Sequence, residues 1–141
     1  MKAFRNQRVI KAPPEKVFAA IEDPSLLARW WGPAGFTCTF ELFEFKPGGR
    51  WKFLMHGPDG TVYPNESIFR EVERPRRVVI AHVVDPLFTA TIEVEACDVG
   101  SRLNWVQAFE DEEVAKAMAP IVEPANEQVF DKLQALVEGS R

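Results

Sequence analysis

The sequence is poor in the residues that most specialised functions require. Of its 141 residues only two are cysteine, two histidine and one tyrosine. Cys38 and Cys97 are far apart, each inside a stretch that alternates like a strand, so they read as two buried thiols and not as a bridge. Together with His56 and His82 they show no CxxC or HxxxH spacing, so no metal site is expected. No cofactor fingerprint is present either. Gly48-Gly49 precedes a strand pattern instead of a helix, which leaves phosphate groups without a cradle. There is no GxSxG elbow, and neither cysteine has a basic neighbour in sequence to activate it. Runs of about 18 apolar residues are missing, which excludes a helical membrane span. The opening MKAFRNQRVIKAPPEK lacks an apolar signal region, so a cytoplasmic location is the default expectation. Charge of one sign is also lacking: 17 basic and 21 acidic residues, both scattered, leave a net charge of −4. Such a surface does not follow a phosphate backbone, and nucleic acid is not an expected partner. Nothing in the pattern speaks to oligomeric state.

What the chain does have is apolar and aromatic weight: 46% hydrophobic residues, with eleven Phe and four Trp. One domain spanning 1–141 is expected, of a size that buries roughly two thirds of its unfolded surface. A first strand is read over 4–12 and ends at Pro13-Pro14. Pro14 opens a helix that carries Val17, Phe18 and Ile21 on one face. Asp23-Pro24 caps a second short helix with Leu27, Trp30 and Trp31 on a common side, stopped by Gly32-Pro33. From Phe36 the period becomes two, and the apolar phase slips from Leu42 to Phe43, which predicts a β-bulge and a bent sheet. Further strands are read over 51–56, 62–72, 78–83, 88–96 and 103–109. The chain closes on a helical pattern through Ile121, Val122, Ala125, Val129, Leu133, Leu136 and Val137. Pro120 and Pro124 are expected to break or kink that helix near its start, with 111–118 forming a separate turn.

The fold class is therefore α+β: a curved antiparallel sheet of six to seven strands, two short helices after the first strand, and a long C-terminal helix. A bowed sheet and a straight helix do not match in shape, so a cavity is expected between them. The stretch 47–67, PGGRWKFLMHGPDGTVYPNES, reads as a hairpin turned at Pro58-Asp59-Gly60. If Trp51 pairs near Glu66, then Trp51, Phe53, Met55, Val62, Glu66 and Ile68 share one face. The following strand places Ile80 and His82 on the Ile68 face. An acid among large apolar side chains must meet water, a partner or a ligand.

Glu66 and His82 are thus the sharpest polar pair, with Gln107 as a polar exception in the last strand. They read as ligand contacts, as a general acid and base, or as a satisfied structural pair. Trp30 and Trp31 either line the cavity or pin their short helix to the sheet. Trp31, Trp51, Phe53, Met55, Ile68, Phe88, Trp105 and Val129 would supply apolar area to a small hydrophobic or aromatic molecule, and the polar three would orient it.

Several motifs carry a family resemblance in one order along most of the chain. They are APPEKVF at 12–18, LLARWWGP at 26–33, PGGRW at 47–51, HGPDG at 56–60, YPNES at 63–67 and ERPRRV at 73–78. The pattern resembles the START-like, helix-grip superfamily of polyketide cyclases, aromatase/cyclases and the birch-pollen allergen. More closely it is similar to bacterial single-domain relatives of the C-terminal domain of the heat-shock protein 90 ATPase activator. That resemblance implies a sheet wrapped around a long C-terminal helix with an apolar tunnel between them. It implies ligand binding first, with cyclase or dehydratase chemistry or a chaperone-associated role as alternatives.

Overall fold

The computed structural model describes residues 2–139. The elements run β1 (Lys2–Ile10), α1 (Pro14–Glu22), α2 (Pro24–Trp30), β2 (Thr37–Phe43), β3 (Arg50–His56), β4 (Val62–Glu73), β5 (Arg77–His82), β6 (Phe88–Cys97), β7 (Gly100–Phe109) and α3 (Glu112–Glu138). The seven strands form one antiparallel sheet in the order β1-β7-β6-β5-β4-β3-β2. This is the α+β helix-grip architecture expected from the patterning. α3 lies across the concave face against β1, β7 and the two short helices.

Local chemistry accounts for the ends of the helices. Pro14 occupies the first turn of α1, where a missing N–H costs nothing. Asp23 caps α2 by accepting from Ser25 N, and Asp111 caps α3 by accepting from Glu113 N and Val114 N. Sheet curvature comes from two register slips, one between Phe40 and Leu42 against β3 and one between Phe69 and Glu71 against β5. The first lies at the predicted bulge.

Two expectations are corrected. α3 is a single 27-residue helix with Pro120 and Pro124 inside it, not a broken one. Both prolines are exposed, so the carbonyls they leave without an N–H face water, while Ala115, Val122, Asn126, Val129, Phe130, Leu133 and Val137 bury the opposite stripe. The hairpin register is also displaced by one residue: Trp51 pairs with Ser67, and Lys52 with Glu66. The connecting loop takes five residues, 57–61, closed by Gly57 N donating to Thr61 O at 2.8 Å and held by Asp59 Oδ1 accepting from Thr61 N at 2.9 Å. A loop one residue longer turns every side chain of β4 to the other face. Asn65, Ser67 and Phe69 consequently share the inward face with Trp51, Phe53 and Met55. Glu66 and Ile68 face outward with Arg50 and Lys52. The same slip corrects β5: Ile80 pairs with Phe69 and His82 with Ser67, opposite in face to Ile68.

The interior divides into two apolar groups. The larger one joins α1, α2, the sheet and the C-terminal half of α3 through Phe18, Trp30, Trp51, Phe69, Phe130 and Leu133. A smaller one, Phe4, Phe109, Ala115 and Val122, sits under the N-terminal half of α3.

Candidate functional site

A pocket of about 250 Å³ lies between the concave face and the N-terminal half of α3. The sheet contributes Phe53 and Met55 from β3, Asn65 and Ser67 from β4, Ile80 and His82 from β5, Phe88 from β6, and Trp105 and Gln107 from β7. Across from them stand Met118, Ile121, Val122, Ala125, Asn126 and Val129 of α3, with Trp31, Gly32 and Pro33 closing one end and Pro86 on the rim. The pocket takes walls from both apolar groups, Trp105 and Val129 from the larger and Val122 from the smaller, so it occupies the gap between them.

Eight of the side chains singled out in sequence line this pocket: Trp31, Phe53, Met55, His82, Phe88, Trp105, Gln107 and Val129. The other four do not. Trp30 is fully buried behind the wall, its indole N–H donating to Ala20 O at 2.9 Å, so it pins α2 to α1. Trp51 is likewise fully buried, its ring 4.9 Å from that of Trp31, and it supports the wall from behind. The proposed Glu66–His82 pair is not formed. Glu66 projects from the outer face and pairs with Arg50 at 3.1 Å, and Ile68 follows it outward.

Among the described residues His82 is the only titratable side chain on the pocket wall, and none of the lining ones carries a fixed charge. Its ring stacks on Phe88 with centroids 4.6 Å apart. Nδ1 lies 2.8 Å from Pro86 O and Nε2 lies 2.7 Å from Asn65 Oδ1. Burial holds its pKa below the ordinary 6.5, partly opposed by the bond to Pro86 O. At neutral pH the ring is uncharged, and Nδ1–H is the hydrogen that Pro86 O accepts. Behind the wall, burial pushes the Cys38 thiol up to about 11 despite nearby Lys132, so it remains an unreactive thiol.

Asn65, Ser67 and Asn126 were missed by sequence reasoning. The first two were hidden by the one-residue slip in the hairpin. Asn126 had a legible signal, because it falls on the Val122, Val129, Leu133 stripe where a polar residue needs a buried partner. It finds one across 19 positions of sequence, donating from Nδ2 to Gln107 Oε1 at 3.3 Å.

None of the curated proteins matches the chain. The sequence profile described as "Activator of Hsp90 ATPase homolog 1-like protein" matches residues 11–138. Among solved structures the chain is similar to protein CV1439 from Chromobacterium violaceum, with 27% identity over 98% of this chain and 99% of that one, at a TM-score of 0.87. A protein from Arthrobacter aurescens is 29% identical over 97% of this chain and 86% of its own, with a TM-score of 0.89. An AHSA1-like protein from Aeromonas hydrophila shares the fold at 21% identity and a TM-score of 0.78, over 99% of this chain and 94% of that one.

Proposed function

The chain belongs to the family of activator of Hsp90 ATPase homolog 1-like proteins, and from that premise we propose that it is a non-enzymatic binder of one small apolar or aromatic molecule, held between the sheet and α3. The observation that carries this reading is a pocket of about 250 Å³ walled by aromatic and aliphatic side chains, with a few convergent amides and no charge. Such a division, apolar area for affinity and sparse polar groups for orientation, is the usual one in small-molecule sites. The volume suits a ligand of one or two fused rings.

A cyclase or dehydratase reading has less behind it. With Glu66 on the outer face, His82 is left without a second titratable group in the pocket for proton transfer. A chaperone-associated role rests on the family description alone.

Because Trp31 and Trp105 line the pocket, a bound ring compound is expected to quench tryptophan emission. Ala125→Trp, which fills the pocket from the helix side, should weaken binding of either 2-acetylnaphthalene or 2-isopropenylnaphthalene at least tenfold while leaving the far-ultraviolet circular dichroism unchanged. Undiminished quenching in the folded variant would place the ligand elsewhere and remove the proposal.

A further inference from the structure

The polar groups of the pocket are not interchangeable, because a chain of hydrogen bonds fixes which way the Gln107 amide is turned. The chain starts at the surface with Glu127. Its carboxylate receives Arg8 Nη2 on Oε1 at 2.8 Å and Asn6 Nδ2 on Oε2 at 2.8 Å. Those two bonds, Asn6 first, hold its pKa below the usual carboxylate range, so it acts only as an acceptor. Asn6 must then present Nδ2 to Glu127, which leaves Oδ1 to accept from Asn126 Nδ2 at 3.1 Å. The same Asn126 Nδ2 donates to Gln107 Oε1 at 3.3 Å. Gln107 therefore spends its oxygen on the helix, and its Nε2 hydrogens have no partner among the described residues. This side chain is 8% exposed.

Two positions away on the same face of β7 is Trp105, 4% exposed, which offers its ring to the pocket while its Nε1–H is enclosed without a partner, as is that of Trp51 behind the wall. An N–H covered by a ligand that offers no acceptor costs about 1–3 kcal/mol, and the Gln107 amide is such a donor on the pocket wall. Among the described residues the β7 wall offers this donor, and Ser67, whose hydroxyl both donates and accepts, lines the pocket from β4. Asn126, on the helix side, spends its Nδ2 on Asn6 and Gln107, and its Oδ1 has no donor among the described residues. At the other end of the pocket, the two ring nitrogens of His82 are taken up by Pro86 O and the Asn65 amide.

We infer that the occupant of this pocket is an uncharged, flat ring compound bearing a carbonyl-type oxygen, which accepts from the Gln107 amide. This rests on the binding proposal above and adds the chemical class of the ligand. Neutrality follows from the absence of any fixed charge on the walls: a carboxylate would be desolvated with no counter-charge to meet it. A plain hydrocarbon leaves the Gln107 N–H groups unsatisfied. A neutral oxygen acceptor on an apolar frame satisfies them without that penalty, and a hydroxyl next to it would find Asn126 Oδ1.

Three isosteric probes separate the cases: 2-acetylnaphthalene, 2-isopropenylnaphthalene and 2-naphthoate, which differ only in C=O, C=CH2 and CO2− on the same frame. Titrated by tryptophan fluorescence into the intact protein at about pH 8, the ketone should bind about tenfold tighter than the alkene, and the carboxylate at least tenfold weaker than the ketone. Gln107→Met, which keeps length and removes the donors, should bring ketone and alkene to within about threefold of each other. Equal binding of ketone and alkene by the unaltered protein overturns the acceptor inference and leaves the binding proposal standing. A carboxylate that binds best overturns the inference of neutrality. No binding by any of the three removes both.

Discussion

His82 has two neighbours that accept hydrogen bonds, Pro86 O and Asn65 Oδ1, and a neutral imidazole has a single hydrogen to give. With Nδ1–H committed to Pro86 O, the Nε2 contact is satisfied in one of two ways. Either the ring takes up a second proton, or the Asn65 amide turns over and gives up its 2.9 Å bond to Tyr63 O. Burial disfavours the proton and keeps the folded pKa below 6.5. The unfolded chain therefore binds more protons than the native one between that lowered value and about 6.5, so stability rises with pH across the window. The contribution is complete above about pH 6.5 and is lost as pH falls toward the folded pKa. Denaturant midpoints followed from about pH 5 to pH 8 should show this slope in the native sequence and a flatter one in His82→Gln, and the ring resonances should titrate below 6.5.

α3 is where propensity and packing disagree. A proline in a helix interior costs about 3 kcal/mol relative to alanine, and α3 contains two, four positions apart, alongside the pocket wall at Met118, Ile121, Val122 and Ala125. The helix persists because its buried stripe spans both apolar groups and because the two affected carbonyls face solvent. Replacing Pro120 or Pro124 with alanine should therefore stabilise the fold by about 1–2 kcal/mol each, less than the full propensity difference because proline also restricts the unfolded chain. Urea unfolding measures this. Hydrogen exchange should slow chiefly in the turns between Glu112 and Ala125, and a loss of stability would mean that the proline rings pack against something their exposure does not reveal. The β3–β4 hairpin shows the opposite relation, since here local pattern was obeyed and still misled. Its alternation was legible, but the number of residues in the loop determines which alternate set faces inward. Asn65 and Ser67 took the place that Glu66 and Ile68 were expected to hold.

The pocket belongs to no element by itself. It is the space left where a sheet bent by two register slips meets a straight rod and the interior separates into two apolar groups. Occupation of that space links binding to folding: a ligand at a hundred times its dissociation constant adds about 2.7 kcal/mol. Saturating 2-acetylnaphthalene should accordingly raise the thermal midpoint by several degrees, and native mass spectrometry of freshly purified protein should show added mass wherever a cellular ligand is retained. A melting curve unmoved by saturating ketone would mean that the pocket is closed to it in the native state.

The order of the elements, the bulge near Leu42, the strand alternation and the apolar stripe of α3 were set by sequence alone, because each depends on residues within a turn or two of one another. So was the choice of Trp105 and Gln107 as wall residues, since each lies at a fixed phase of a regular strand, whereas Trp30 and Trp31 were separated only by the fold, which buries one and turns the other to the pocket. Which face Glu66 takes, and which partner Asn126 finds, depended on the three-dimensional arrangement. A one-residue change in loop length reverses a strand, and the bond from Asn126 to Gln107 joins a helix and a strand whose approach no local pattern encodes.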